Sequence, residues 1–361
     1  MKLIFDKSSS SLTTCSNMKS FVFLETSFLS LMASKLYCLT NSSKKSSALT
    51  RTLLFMDNFR TLEFLSIGVD AAGLGMSKSV VATTNGVNAI YWNPAGLVGI
   101  EDYQGSLMHA SYFAGIANYN HAAFAMPIDR QSAVGISVIR FGVDDILNTT
   151  ELIDSQGNID FNRISLFSSV DYAFNIAYAR NLLFKDVKFG VNAKIVRRII
   201  GDFASSWGFG FDVGIQFERN DWRFGLMARD ITTTFNSWAV DEDEFNKIKN
   251  SIPGQNQEAP ENTEITKPKL QLGVAKNWRL GRFFNLLTEA NANIRFSKTN
   301  DIVSSDFASI DPALGFQLDY DRLVYLRAGI GNFQYITKFD NSKSLSMQPN
   351  FGVGFTYNGI Q

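Results

Sequence analysis

From Trp207 to Glu218, apolar residues alternate with small or polar ones. Trp207, Phe209, Phe211, Val213, Ile215 and Phe217 fall on one face; Gly208, Gly210, Asp212, Gly214, Gln216 and Glu218 fall on the other. Successive strand side chains point to opposite faces, so this period predicts a strand with one greasy and one polar side. The alternation recurs over 171–178, 187–195, 222–229, 270–274, 285–296, 310–319, 324–330 and 350–357, and less regularly near 104–114, 118–126 and 132–141. About twelve strands result, several of about ten residues or more, where soluble strands average about five to six and a tilted membrane strand needs about 9–11. The pattern predicts an all-β, antiparallel transmembrane barrel standing in a bilayer around a hydrated interior. A large soluble β-sandwich also alternates, but strand length and turn pattern argue against it.

Charge placement agrees. Lys188, Lys194, Arg223, Arg295 and Arg327 lie opposite the aromatic face. On the lipid side a basic residue near the midplane would cost about 2–4 kcal/mol, so these belong inside, with Asp212, Glu289 and Asp319 as available partners. Connections alternate between tight ones at 127–131, 181–186, 219–221, 279–281 and 321, and longer ones at 142–162, 197–204, 230–267, 297–307 and 332–346. Outer-membrane barrels alternate short periplasmic turns with long external loops. Threading on that rule puts the N-terminal segment in the periplasm and Trp222, Trp278 and Tyr357 at the periplasmic rim.

Composition narrows the class. The 361 residues carry 34 basic and 34 acidic side chains, a balance that gives no hint of a nucleic-acid partner. No stretch reaches the roughly 18–20 apolar residues of a membrane helix, so a membrane protein of this kind must close its backbone hydrogen bonds in a sheet. Both cysteines, Cys15 and Cys38, precede the alternating region. Residues 1–60 are Ser-rich and do not alternate; Phe21–Leu24 and Phe28–Ala33 make a poor secretory signal interrupted by Glu25, and the preferred reading is a partly mis-chosen start. At the other end Asn358-Gly359 is a strong hairpin signal, with Gln361 two residues beyond it. The expectation is a truncated barrel with about two strands to follow.

Between Phe64 and Gln104 lie Ile67–Met76 and Asn88–Leu97, the latter ending in Asn93-Pro94-Ala95-Gly96-Leu97. Asn-Pro starts turns, and Pro suits a first helical turn. Placed just before the first strand, this stretch resembles the plug of FadL-type fatty-acid channels. The region from about Phe64 to Gln361 is similar to the PorV/PorQ family of Bacteroidota, with further likeness in Leu107–Tyr112, Arg140–Asp145 and Gly201–Gly208. The resemblance implies a FadL-like outer-membrane barrel of about fourteen strands from residue 104 onward, with a plug over 61–103. It also implies a role as an accessory to type IX secretion, beside the translocon and carrying cargo toward the cell surface. Asn-Pro-Ala-Gly is shared with channels of other function, so it separates fold better than role.

The remaining chemistry is sparse. His109 and His121 are the only histidines, neither has a metal-like partner in spacing, and packing or rim hydrogen bonding is the expected use of each. No Gly-x-Ser-x-Gly elbow surrounds a serine, and Gly208-Phe209-Gly210 opens no helix. Asp241–Glu244 should start a short helix to about Asn250, without the spacing of a calcium loop. No cofactor is expected. The leading expectation is a non-enzymatic barrel that binds translocon or cargo proteins through loops 142–162, 230–267 and 332–346, with Asp144, Asp145, Phe235, Trp238 and Phe245 as contacts. The alternative is a channel for hydrophobic small molecules. Inward positions rich in Gly, Asn, Asp, Lys and Arg argue against a wide apolar tunnel, although Ile90, Tyr91, Trp92 and Leu97 of the plug could supply one. An enzyme in the barrel wall is a third reading, opposed by the missing His constellation.

Overall fold

The alternating segments become one antiparallel sheet in the computed structural model, which describes residues 63–149, 151–152, 156–182, 186–243, 263–338, 341–357 and 360. The strands are β1 (Gln104–Tyr112), β2 (Ala117–Asp129), β3 (Ser132–Asn148), β4 (Ser165–Asn181), β5 (Val187–Ile200), β6 (Ala204–Arg219), β7 (Trp222–Arg229), β8 (Thr234–Val240), β9 (Thr263–Thr266), β10 (Lys269–Leu280), β11 (Phe284–Arg295), β12 (Val303–Ser304), β13 (Ser309–Tyr320), β14 (Val324–Thr337) and β15 (Lys343–Phe355). Neighbours in the ladder run β1-β2-β3-β4-β5-β6-β7-β10-β11-β13-β14-β15; β8 continues above β7 on the edge of β6 and pairs with β9, and β12 pairs with β13. Among the described residues β1 and β15 are the two ends of this ladder. The sheet curls around residues 63–103, which touch strands from both ends: Gln104 of β1 accepts the Val87 N–H at 3.1 Å, and Asn350 of β15 donates to Ser77 Oγ at 2.7 Å. The architecture is an all-β outer-membrane barrel fold with a plug. The N-terminal extension, the end of the helix expected after Asp241 and the turn at 358–359 lie outside the described residues.

The faces fall as alternation requires. On β6, Trp207, Phe209 and Phe211 are about half exposed on the outside, whereas Ser206, Asp212 and Gln216 are buried inside. Such a band of exposed aromatics suits hydrocarbon and not water. At the tight-turn end, Trp222, Trp278, Phe284 and Tyr320 ring the outside. There the Lys276 ammonium lies 3.9 Å from the Trp278 ring centre and 4.9 Å from that of Trp222, a snorkelling cation at the interface. At the loop end, Arg197 stacks 4.9 Å over Trp207 on the same outer face, and Arg140 stands opposite Tyr172.

Two expectations need correction. Much of 142–162, 197–204 and 332–346 is strand: β3 and β4 are 17 residues each, β5 and β6 turn within Gly201–Phe203, and β14 and β15 run to Thr337 and from Lys343. Beyond the bilayer both faces of a hairpin are wet, so alternation vanishes from the sequence while the ladder continues to satisfy the backbone. The inward charges also pair differently. Lys194 does meet Asp212 at 2.8 Å, and Arg223 meets Glu218 at 3.2 Å. Arg295 faces Asp301 and Asp311, Arg327 donates to Gln317, and Asp319 accepts from Asn285. Glu289 turns to the plug.

Val213 lies mid-strand on the outer face of β6. Val213→Arg should lower folding stability in lipid vesicles by about 2–4 kcal/mol, read from urea titration, while the same change at exposed Ser165, at the loop end of β4, should be close to neutral.

Candidate functional site

The plug contains a 3-10 turn (Glu63–Ser66), α1 (Ala71–Gly75), α2 (Ala89–Trp92) and a second 3-10 turn (Pro94–Gly99). One side chain joins its two halves. Asp70 Oδ1 accepts the Gly73 N–H at 2.7 Å and caps α1, while Oδ2 accepts the Trp92 indole N–H at 2.9 Å. Gly73 is required there because an added Cβ would sit inside 3 Å of the Trp92 ring. Asn93 does the same for the second half. Its extended backbone ends α2, its Oδ1 accepts the Ala95 N–H at 3.2 Å, and Pro94 begins the next turn. Its amide nitrogen donates to Val81 O at 2.9 Å and to Ile215 O of β6 at 3.2 Å. Asn93, Pro94, Ala95, Gly96 and Leu97 are all buried, and Gly96 is packed against the Thr84 carbonyl.

The wall meets this segment at a girdle of inward glycines. Gly135 of β3 faces Ile90, Gly190 of β5 faces Pro94 and Ala95, and Gly214 of β6 faces Asn93. Gly225 of β7 and Gly273 of β10 face Val81 and Ala82; Gly315 of β13 and Gly329 of β14 face Met76; Gly352 of β15 faces Gly75. A side chain at most of these positions would occupy the space of plug backbone, so the absence of Cβ sets how closely wall and plug approach. Three pairs are in register across neighbouring strands: Gly190 with Gly214, Gly225 with Gly273, and Gly315 with Gly329.

Polar wall side chains complete the seat. An irregular backbone has N–H and C=O groups without ladder partners, and these must be satisfied locally. Gln216 Nε2 donates to Val81 O and Thr84 O at 3.2 and 3.0 Å. The Glu289 carboxylate accepts the Ala82 N–H at 2.8 Å and the Thr83 hydroxyl. Asn291 donates to Lys78 O at 3.2 Å, and Arg229 donates to Tyr91 O at 2.8 Å with its guanidinium 4.6 Å above the Tyr91 ring. These latches stand on β6, β7 and β11, and Asn350 adds one from β15.

Beside these polar groups the lumen holds an apolar sector that the inward alternation does not predict. Toward the loop end, Met108, Ala110, Tyr112, Tyr119, Ile139, Phe141, Ala173 and Val196 of β1–β5 pack in one cluster with Phe64, Val69, Tyr91 and Trp92 of the plug, joined from the far wall by Ala275 and Leu287. Toward the tight turns, Ala123, Ala125, Ala133, Ala177 and Ala179 of β2–β4 pack with Val87, Ile90 and Leu97. Most of these wall positions are alanines or sit on the least regular strands, so alternation alone does not mark them as apolar lining. Between the two clusters, on the same inner face, a buried polar network runs from Ser137 of β3 through Asn175, Asn192 and Asp212 to Lys194, whose ammonium also pairs with Asp230 at 2.6 Å.

Within the apolar sector, β2 carries buried polar atoms with no partner: the Tyr119 hydroxyl and both His121 ring nitrogens. Each such group costs about 1–3 kcal/mol. His109 is different: it lies on the outer face, with Nδ1 at 2.7 Å from Asn120 Oδ1.

The loop residues do not converge. Asp144 pairs with Arg140 at 3.3 Å, and Asp145 sits in a bulge with φ 59°. Phe235 points outward from β8, whereas Trp238 points inward beneath Arg198, 5.2 Å from the guanidinium. Phe245 lies outside the described residues. The glycine girdle, Gln216, Glu289, Asn291 and Asn350 were missed by sequence reasoning. The recurrence of Gly on the inward face of successive strands is the signal that could have found them.

No family model and no curated protein matches the sequence. Solved structures similar to the chain include the CymD monoaromatic hydrocarbon channel (12% identity, TM-score 0.48, covering 80% of this chain and 90% of that one). The toluene transporter TodX of Pseudomonas putida matches at 11% identity and TM-score 0.48, covering 81% and 89%. A FadL homologue of Pseudomonas aeruginosa matches at 12% identity and TM-score 0.42, covering 74% and 80%.

Glu289→Ala would strip the Ala82 N–H and Thr83 hydroxyl of their acceptor. Hydrogen exchange at residues 78–84 should accelerate by an opening free energy of about 1.5–3 kcal/mol lost, with the wall strands unchanged.

Proposed function

We propose that this protein is a non-enzymatic outer-membrane conduit for small hydrophobic molecules, held here in its closed state, with the plug as its stopper. The observation that carries this reading is the apolar sector of β1–β5, two clusters that meet α2 toward the loop end and toward the tight turns. A hydrophobic solute moving along that sector keeps apolar contact over most of its path and passes the polar groups of Ser137 and Asn175 between the two clusters. The plug is hydrogen-bonded mainly to β6, β7, β11 and β15, while most of what faces β1–β4 is apolar packing by Ile90, Trp92 and Leu97. Apolar contacts are non-directional and can slide, whereas hydrogen bonds cannot. A modest shift of α2 toward the latched wall would therefore open a passage without releasing the plug.

A second reading is supported by a separate feature. The β3–β4 hairpin rises beyond the outer apolar band and exposes Leu147, Phe161 and Leu166, with Asp144 and Asp145 at its base. That tip suits a protein partner, as a PorV/PorQ-type accessory to type IX secretion would need for a translocon or cargo protein.

A reversible lock tests the first reading. Gly135 lies against the Ile90 side chain. In a background with Cys15 and Cys38 replaced by Ser, Ile90→Cys with Gly135→Cys should form a disulfide that pins α2 to β3. Oxidised proteoliposomes should take up an alkylbenzene at least about tenfold more slowly than reduced ones, a barrier change of about 1.4 kcal/mol. Equal uptake in both states would count against the plug as stopper.

A further inference from the structure

Tyr119 and His121 are alternate residues of β2, so their side chains share the inner face about 6.6 Å apart along the strand. Tyr119 is 0% and His121 2% exposed. Their neighbours in register offer no hydrogen bond from a side chain: Ala110 and Phe141 flank Tyr119, and Met108 and Ile139 flank His121. The hydroxyl and both ring nitrogens therefore have no hydrogen-bond partner among the described residues, at the height where the sector passes the plug, with Tyr91, Tyr112 and Arg229 the polar groups that act on Tyr119. Buried polar groups are ordinarily satisfied, so an unsatisfied set facing a passage asks what arrives there.

We infer that Tyr119 and His121 form a hydrogen-bonding station for the polar group of a passing solute, and that the favoured solute has an apolar body bearing one neutral hydrogen-bonding group, such as an alcohol or phenol. This rests on the conduit reading and deepens it. A hydroxyl both donates and accepts, and so do a neutral imidazole and a phenol, so the two chemistries match. A carboxylate fits less well: Arg229, the cation over Tyr91, donates to Gln271 at 2.7 Å and to Tyr91 O, and its charge is already answered by the buried Asp212 carboxylate. A pure hydrocarbon would leave the three atoms unsatisfied. The station makes the sector selective, where uniform apolar lining would sort solutes by size alone.

The test is equilibrium dialysis of the full chain in detergent micelles against detergent-only blanks, with 2-phenylethanol and ethylbenzene as matched probes. The wild type should prefer the alcohol. Tyr119→Phe and His121→Leu should each weaken alcohol binding about 3–10-fold and leave ethylbenzene unchanged or tighter. Heat-modifiable gel migration reports the fold, and Tyr119→Phe, which removes a single oxygen, carries the test if His121→Leu does not fold. An alcohol-to-hydrocarbon ratio that is the same in all three proteins overturns the station and leaves the conduit standing. Parallel loss of both probes also overturns it, because it assigns the pair a packing role. Failure of both probes to bind all three proteins overturns the conduit itself.

Discussion

A peptide group held at membrane depth must find its hydrogen bond inside the protein, because hydrocarbon offers none. The wall meets that demand with its ladder. The plug cannot, since its helices are a single turn each and the rest is irregular. Everything distinctive about the lumen follows from this. Glycines bring wall backbone close, and Gln216, Glu289, Asn291 and Asn350 then reach the plug groups that the ladder does not serve.

The two halves of the lumen embody two kinds of binding. On β6–β15 the plug is held by directional bonds, several to its backbone. On β1–β4 it rests mostly on apolar surface, where lateral motion costs little so long as contact area is kept. Fixed attachment on one side and slippery packing on the other is the mechanical arrangement of a hinged object, and it arises here from residue type alone.

The outer face was legible in the sequence because one solvent, lipid, imposes one rule on every strand. Trp207 through Phe217 could hardly be read otherwise. The inner face obeys several rules at once, and its members look alike in sequence: Gly214 is a plug contact and Ala177 part of an apolar lining, yet both read as small inward residues. The latch between Glu289 and Ala82 joins positions more than two hundred residues apart, which no local pattern encodes. The Asn93–Leu97 motif was visible as a turn, and its place at the centre of the plug came from resemblance; what the structure adds is why Asn is needed there, as one side chain serving Ala95, Val81 and Ile215. The hairpins above the membrane were misjudged as loops for the opposite reason: in water the strand persists and its signature does not.

The register-matched glycine pairs carry one more consequence. Glycine is a poor strand former and contributes no cross-strand side-chain contact, so three pairs of adjacent strands are weakest at the level where the plug sits. A wall assembled around an empty lumen would have little there to hold its register. During biogenesis the plug would thus serve as a mandrel on which the sheet is rolled, present from the first strand because it precedes β1 in the chain.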